Sequence, residues 1–110
     1  MKPTQQSAVA NALDRLWTQF LPEMKERVGV LETAAAAFAA DTLSEKQHEE
    51  ANTAAHKLAG VLGTFGLTRG TVLARELEIM YSRENGPDPA MATSLAQIAA
   101  ELRTIVESRQ

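Results

Sequence analysis

Cysteine is absent from this chain of 110 residues, and positive charge is outweighed by negative charge. Without cysteine the chain can form neither a disulfide framework nor a thiolate metal site. Lysine and arginine together number 11 against 14 aspartates and glutamates, which gives a net charge of −3 and a pI near 5.3. Nucleic-acid binding demands concentrated positive charge. The composition therefore argues against DNA or RNA as a partner.

Long hydrophobic runs are also absent. No apolar stretch approaches the roughly 18–20 residues that span a bilayer. At the N-terminus, Lys2 and Pro3 lead into three polar residues and not into the apolar run of a signal peptide. We therefore expect one soluble, cytoplasmic domain over residues 1–110 that does not bind a membrane.

The hydrophobic residues that are present favour helices. They make up 45% of the chain, but alanine supplies much of that share and β-branched residues are few. Apolar residues recur at spacings of three and four, and Pro22 predicts a break or a sharp kink after the first segment. The predicted helices span about 5–20, 23–40, 44–65, 69–84 and 89–108. The expected fold is all-α, an antiparallel up-and-down four-helix bundle with an additional short N-terminal helix.

Three local signals support these boundaries. Ser44 followed three residues later by Gln47 fits a capping box. Gly66 suits the left-handed position that follows a helix, and Asp88 precedes a proline at a first helical position. The aromatic side chains are predicted to lie in the core; they are Trp17, Phe20, Phe38 and Phe65.

The stretch from Ala55 to Gly66 is the most informative part of the chain. On a helix at about 100° per residue, His56 lies opposite the apolar face that carries Leu58 and Leu62. Three glycines in seven residues weaken that helix by roughly 1 kcal/mol each relative to alanine. They leave a flat patch around the imidazole that another protein's backbone could approach. The predicted docking surface consists of Asn52, Ala59, Gly60, Gly63 and Thr64.

This stretch resembles the signature of the histidine-containing phosphotransfer (Hpt) domain. The residues that carry the resemblance are His56, Leu58, Gly60, Gly63 and Gly66, followed by Arg-Glu-Leu-Glu at 75–78. The resemblance implies a helical bundle with a solvent-facing histidine that accepts a phosphoryl group from a receiver-domain aspartyl phosphate and passes it to another receiver. It also implies receiver domains as partners, with a hybrid histidine kinase as a further candidate partner, and a monomeric chain. The receiver would bring Mg²⁺, so no cofactor is expected on this chain.

The chemistry suits a histidine that has no catalytic apparatus of its own. A neutral imidazole offers a nitrogen lone pair without needing a base. Phosphoryl transfer has a loose transition state, so catalysis consists mostly of positioning and of neutralising charge on the equatorial oxygens. Many Hpt domains place a lysine three residues after the histidine, where this chain has Ala59. The candidates for the phosphate-neutralising cation are Lys57, Arg69 and Arg75, and autonomous kinase activity is not expected.

Two other functions remain open from the sequence. The chain could be a structural adaptor bundle in which His56 is incidental. It could also be a histidine-kinase dimerisation domain, although such domains normally follow their histidine with an acidic residue, and Lys57 follows here. A metal site on the series His48, Asn52 and His56 is disfavoured because a third strong ligand is lacking, so no metal is expected.

Overall fold

A computed structural model describes residues 5–82 and 86–109, and for residues 5–7 it describes the backbone alone. Within these residues the chain forms four α-helices and one turn of 3₁₀ helix. The α-helices are α1 (Gln5–Ala39), α2 (Glu45–Thr64), α3 (Thr68–Ser82) and α4 (Ala92–Ser108), and the 3₁₀ turn spans Pro89–Met91. The third predicted helix agrees with α2 within one residue at each end. The end of the fourth, at residues 83 and 84, lies outside the described residues.

Short connections between amphipathic helices determine the topology. Five residues (40–44) join α1 to α2, and three residues (65–67) join α2 to α3, so consecutive helices run antiparallel. Contacts follow the order of the chain, with α2 against α3 making the most extensive one, and α4 closes the bundle against α1. The predicted helical bundle is confirmed in the described residues. None of the described helices combines the length and the apolar character needed to cross a membrane.

The local signals act at the helix ends as predicted. The Ser44 side chain accepts from the Gln47 backbone N–H at 3.1 Å, and the Gln47 side chain accepts from the Ser44 N–H at 2.9 Å. Gly66 has a φ of 71°, which only glycine adopts without strain. There the Leu67 N–H donates to the Leu62 carbonyl at 2.9 Å, which is the hydrogen bond of a Schellman motif. These two signals fix where α2 begins and ends, and therefore where His56 lies along the helix.

The break that was one of the two outcomes predicted at Pro22 is not found. Helix α1 runs without interruption through Pro22, so the additional short N-terminal helix is the first half of α1. A proline inside a helix costs about 3 kcal/mol, because it removes a backbone hydrogen bond and crowds the preceding turn. Burial on both sides opposes that cost, since Trp17 is 3% exposed and Met24 is fully buried. Pro22 itself faces solvent.

The core consists mainly of leucine and alanine from all four helices. Trp17 is buried as predicted, and its ring meets the Phe65 ring edge-on with centroids 5.1 Å apart. Phe38 and Phe65 are half-buried. Phe20 is 38% exposed, so its predicted place in the core is wrong.

Candidate functional site around His56

His56 lies midway along α2 and points away from the core. Ala55, which precedes it, and Leu58, which follows it by two residues, are both fully buried. The His56 side chain is 72% exposed. The predicted orientation of His56, opposite the apolar face of its helix, is therefore confirmed.

A carboxylate on α3 holds one nitrogen of the exposed ring. Glu78 Oε2 lies 2.7 Å from Nδ1 of His56. A carboxylate only accepts hydrogen bonds, so Nδ1 carries the proton of the neutral imidazole. Nε2 then carries the lone pair, while Glu78 holds the ring through Nδ1. The geometry presents a nucleophilic nitrogen to solvent.

Glu78 is held by α2 through its backbone as well. The Asn52 side-chain amide donates to the Glu78 carbonyl oxygen at 2.8 Å. Asn52 lies one turn before His56 on α2, and it is half-buried. The sequence placed Asn52 on the docking surface, but its amide contacts α3.

The glycines after His56 differ from one another. Gly60 is exposed, and a Cβ added there would meet nothing within 4 Å. A Cβ at Gly63 would lie 3.3 Å from the Thr71 hydroxyl, so this glycine also serves the close approach of α2 and α3. Ala59 is 3% exposed. Its predicted place on the docking surface is therefore wrong, because its methyl group faces the core.

A shallow groove of about 360 Å³ runs between α1 and α2 beside His56. Phe20 contributes an exposed aromatic ring to it, and Lys57 contributes an exposed ammonium. The other lining residues are Glu23, Arg27, His56, Gly60, Val61 and Thr64. The groove therefore combines apolar and charged side chains next to the ring, on the side away from Glu78.

The three candidate cations occupy different places. Arg69 pairs with Glu101 of α4, with Nε 2.7 Å from Oε2. The hydrogen bond from Arg69 lowers the pKa of Glu101, and the same bond raises the pKa of Arg69. Arg69 is therefore directed at α4 and not at His56.

Arg75 lies on the exposed side of α3, close in helical register to two residues that contact α2. It sits about 40° around the helix from Thr71 and about 60° from Glu78. Both of those residues contact α2: the Thr71 hydroxyl donates to the Ala59 carbonyl at 3.2 Å, and Glu78 binds His56. Arg75 is exposed and forms no ion pair with a described residue. It is thus the α3 cation placed nearest to the ring by helical register.

No metal site is found in the described part of the chain, where no three histidine, cysteine or acidic side chains converge. His48 instead directs its Nε2 at the backbone carbonyl of Tyr81 on α3. All three members of the series His48, Asn52 and His56 therefore contact the C-terminal part of α3.

Sequence reasoning missed two residues of the site. Glu78 was noted only as the last residue of the run at 75–78, and its pairing with His56 depends on how α3 docks on α2. Phe20 was assigned to the core because it shares a stripe with Trp17. The acidic residue at 78 had one signal, which is that it follows a buried leucine and so lies at the edge of the apolar face of α3.

The chain is similar to known proteins over most of its length. The sequence model of the Hpt domain family matches residues 15–108. Protein RcaC of Microchaete diplosiphon is 30% identical over 95 residues, which cover 86% of this chain. The match spans 15% of the length of that curated relative. No solved structure matches the chain.

Proposed function

Because the chain belongs to the Hpt domain family, whose members carry out phosphotransfer in two-component signalling, we propose that His56 is its phosphoacceptor. In this proposal His56 receives a phosphoryl group from a receiver-domain aspartyl phosphate and passes it to the aspartate of another receiver. The observation that carries the proposal is the exposed ring whose Nδ1 is bound by Glu78, which leaves the Nε2 lone pair available.

The transfer follows from this arrangement. Nε2 attacks phosphorus as the bond between phosphorus and the aspartate oxygen breaks, and the bonding electrons leave with the aspartate carboxylate. The ring gains positive charge as the Nε2–P bond forms, while Nδ1 keeps its proton. The Glu78 carboxylate, 2.7 Å from Nδ1, stabilises that charge. Return of the phosphoryl group to a second aspartate is the same step in reverse.

Glu78 also creates a need for a cation. A phosphoryl group on Nε2 brings negative charge to the ring that the carboxylate already touches. We propose that Arg75 supplies most of the compensating charge from α3. Lys57 would contribute from the α1 side of the ring, where it lines the groove. Arg69 is the weakest candidate of the three, because Glu101 holds it. Mg²⁺ is expected on the receiver.

The receiver would dock on the surface that surrounds the ring. Its centre is Gly60, where no side chain obstructs approach. Thr64 and the exposed part of Gly63 extend this surface along α2, and Phe20 adds an apolar contact from α1. We expect one copy of the chain to be sufficient for the reaction, because all the proposed residues come from a single bundle.

Label transfer tests the proposal. Purified chain is incubated with a set of receiver domains that carry radioactive aspartyl phosphate, and label on the chain is followed with time. We expect acid-labile, alkali-stable label that His56→Gln abolishes. A second, unlabelled receiver added afterwards should remove it. The matched control is His48→Gln, which removes the other histidine of α2.

Two results would contradict the proposal. Label that persists on His56→Gln would assign the phosphate to another residue. A folded chain that accepts no label from any receiver would instead support a structural adaptor.

A further inference from the structure

Three polar side chains of α2 contact the C-terminal part of α3. His48, Asn52 and His56 are spaced four residues apart and therefore share one face of α2. His48 binds the Tyr81 carbonyl through Nε2, and Asn52 donates to the Glu78 carbonyl at 2.8 Å. His56 binds the Glu78 side chain. The face is continuous, yet only its last member is a candidate for phosphorylation.

The contacts of His48 and Asn52 fall on two backbone carbonyls near the C-terminal end of the described part of α3. Helix α3 is described as far as Ser82, and the Tyr81 carbonyl, one residue earlier, accepts from His48. The Ser82 hydroxyl binds the Ile79 carbonyl at 2.7 Å. The side chains of His48 and Asn52 thus bind α3 to α2 close to Ser82, its last described residue.

Glu78 is the residue on which these contacts converge. Its backbone carbonyl is bound by Asn52 and its carboxylate by His56, one turn further along α2. Both distances are fixed by the same two helices. A shift of the last turn of α3 would therefore move the carboxylate away from Nδ1.

We propose that Asn52 and His48 are positioning residues that hold the end of α3 so that Glu78 stays on Nδ1 of His56. Asn52 acts directly, through the carbonyl of Glu78. His48 acts one turn later, through the carbonyl of Tyr81. Their effect on the ring is to keep its proton on Nδ1 and its lone pair on Nε2. This inference rests on the proposed function for its biological meaning, but the tautomer of the ring can be measured without any phosphate.

Nitrogen-15 NMR of the histidine rings separates positioning from simple stabilisation. The full chain is labelled with ¹⁵N, and the two ring nitrogens of His56 are observed at a pH where the imidazole is neutral. The variants are Asn52→Ala and its neighbour Thr53→Ala, which is the matched control because Thr53 is exposed on the same turn. Glu78→Ala gives the shifts of a ring without its partner.

We expect the unmodified chain and Thr53→Ala to show a protonated Nδ1 and an unprotonated Nε2. In Asn52→Ala the shifts should move towards those of Glu78→Ala, and the rate of phosphoryl transfer should fall by about three- to tenfold. A folded Asn52→Ala protein whose ring shifts equal those of the unmodified chain would overturn the inference. Shifted ring signals in a chain whose His56 accepts no phosphate would instead overturn the proposed function and leave the positioning intact.

His48 provides an independent test that does not depend on how well Asn52→Ala folds. Glutamine can place an amide nitrogen near the position of the histidine Nε2, so His48→Gln keeps a donor for the Tyr81 carbonyl, whereas His48→Ala removes it. We expect His48→Ala to shift the His56 ring signals and His48→Gln to restore them. Equal ring signals in the two His48 variants would overturn the role of His48.

Discussion

Two histidines on one face of α2 show how environment decides what an imidazole can do. His48 and His56 are two turns apart, and each contacts α3. His48 is half-buried, and its Nε2–H donates a hydrogen bond to a backbone carbonyl. His56 is exposed, and its Nδ1–H donates a hydrogen bond to a carboxylate. The two rings thus bind α3 through different nitrogens, and of the two only His56 presents Nε2 to solvent.

The neighbours of the two rings differ as well. Beside His48 stands Tyr81, which is 2% exposed and whose pKa is raised by burial to about 12. Beside His56 lie the bare surface of Gly60 and the groove that Phe20 lines. The first ring is half-buried and bound to a backbone carbonyl, and the second is exposed to an approaching macromolecule. The comparison indicates that the same residue type has a structural task at one position and a chemical task at the other.

Replacing each histidine by glutamine should produce the largest contrast. His56→Gln should abolish phosphate acceptance and leave the melting temperature nearly unchanged, because the exposed ring makes no core contact. His48→Gln should retain acceptance, since it retains a donor for the Tyr81 carbonyl. Receiver-dependent labelling and thermal melting of both variants measure the two quantities. Comparable loss of labelling in both would show that the two rings are not distinct.

Removing the carboxylate should have the next largest effect. Glu78→Ala removes the acceptor that fixes the proton on Nδ1 and stabilises the charge that develops on the ring. We expect the transfer rate to fall by 10- to 100-fold, which corresponds to about 1.4–2.7 kcal/mol of lost transition-state stabilisation. The control is Glu76→Ala, an exposed glutamate two residues earlier. Single-turnover labelling gives the rates, and equal rates for the two variants would remove Glu78 from the reaction.

The three candidate cations should differ in their effect on the transfer rate. Arg75→Ala should slow transfer by about tenfold, or ~1.4 kcal/mol, and Lys57→Ala should slow it less. Arg69→Ala should leave the rate nearly unchanged, because this side chain is paired with Glu101 on the far side of α3. Rates measured at two salt concentrations check that the effect is electrostatic. A larger loss with Arg69→Ala than with Arg75→Ala would contradict the assignment.

The two glycines near the ring should give the smallest effects, and with different outcomes. Gly60→Ala should stabilise the chain by up to ~1 kcal/mol, because alanine outranks glycine in a helix and the added methyl group meets no atom. Gly63→Ala should gain less, since its methyl group would press on Thr71 at 3.3 Å. Urea unfolding measures both free energies.

A larger side chain at Gly60 tests docking directly. Gly60→Glu should fold, yet accept phosphate slowly, because the glutamate side chain adds bulk and negative charge to the surface that the receiver approaches. Normal labelling of a folded Gly60→Glu protein would argue against docking at this surface.

Local chemistry explains why part of this molecule could be predicted from its sequence. The exposed side of α2, the capping box at Ser44 and the left-handed Gly66 follow from rules that act within a few residues. The continuity of α1 through Pro22 does not, because it depends on what Trp17 and Met24 pack against.

The site shows the same division between local and distant information. The exposure of His56 follows from helical periodicity. Its partner Glu78 lies 22 residues away and is brought to the ring only by the docking of α3 on α2. Ala59 and Phe20 were misplaced for the same reason, since the rotation of each helix in the bundle decides which residues at the edge of a stripe are covered.

The central claim is that Nε2 of His56 accepts the phosphoryl group while Glu78 holds Nδ1. The most direct measurement is NMR of ¹⁵N-labelled chain that a phosphorylated receiver has charged, in which coupling between phosphorus and nitrogen identifies the bonded atom. We predict that phosphorus is attached to Nε2 of His56, that Nδ1 of the same ring remains protonated, and that the ring of His48 is unmodified. Phosphorus on Nδ1 of His56, or on either nitrogen of His48, would contradict the account.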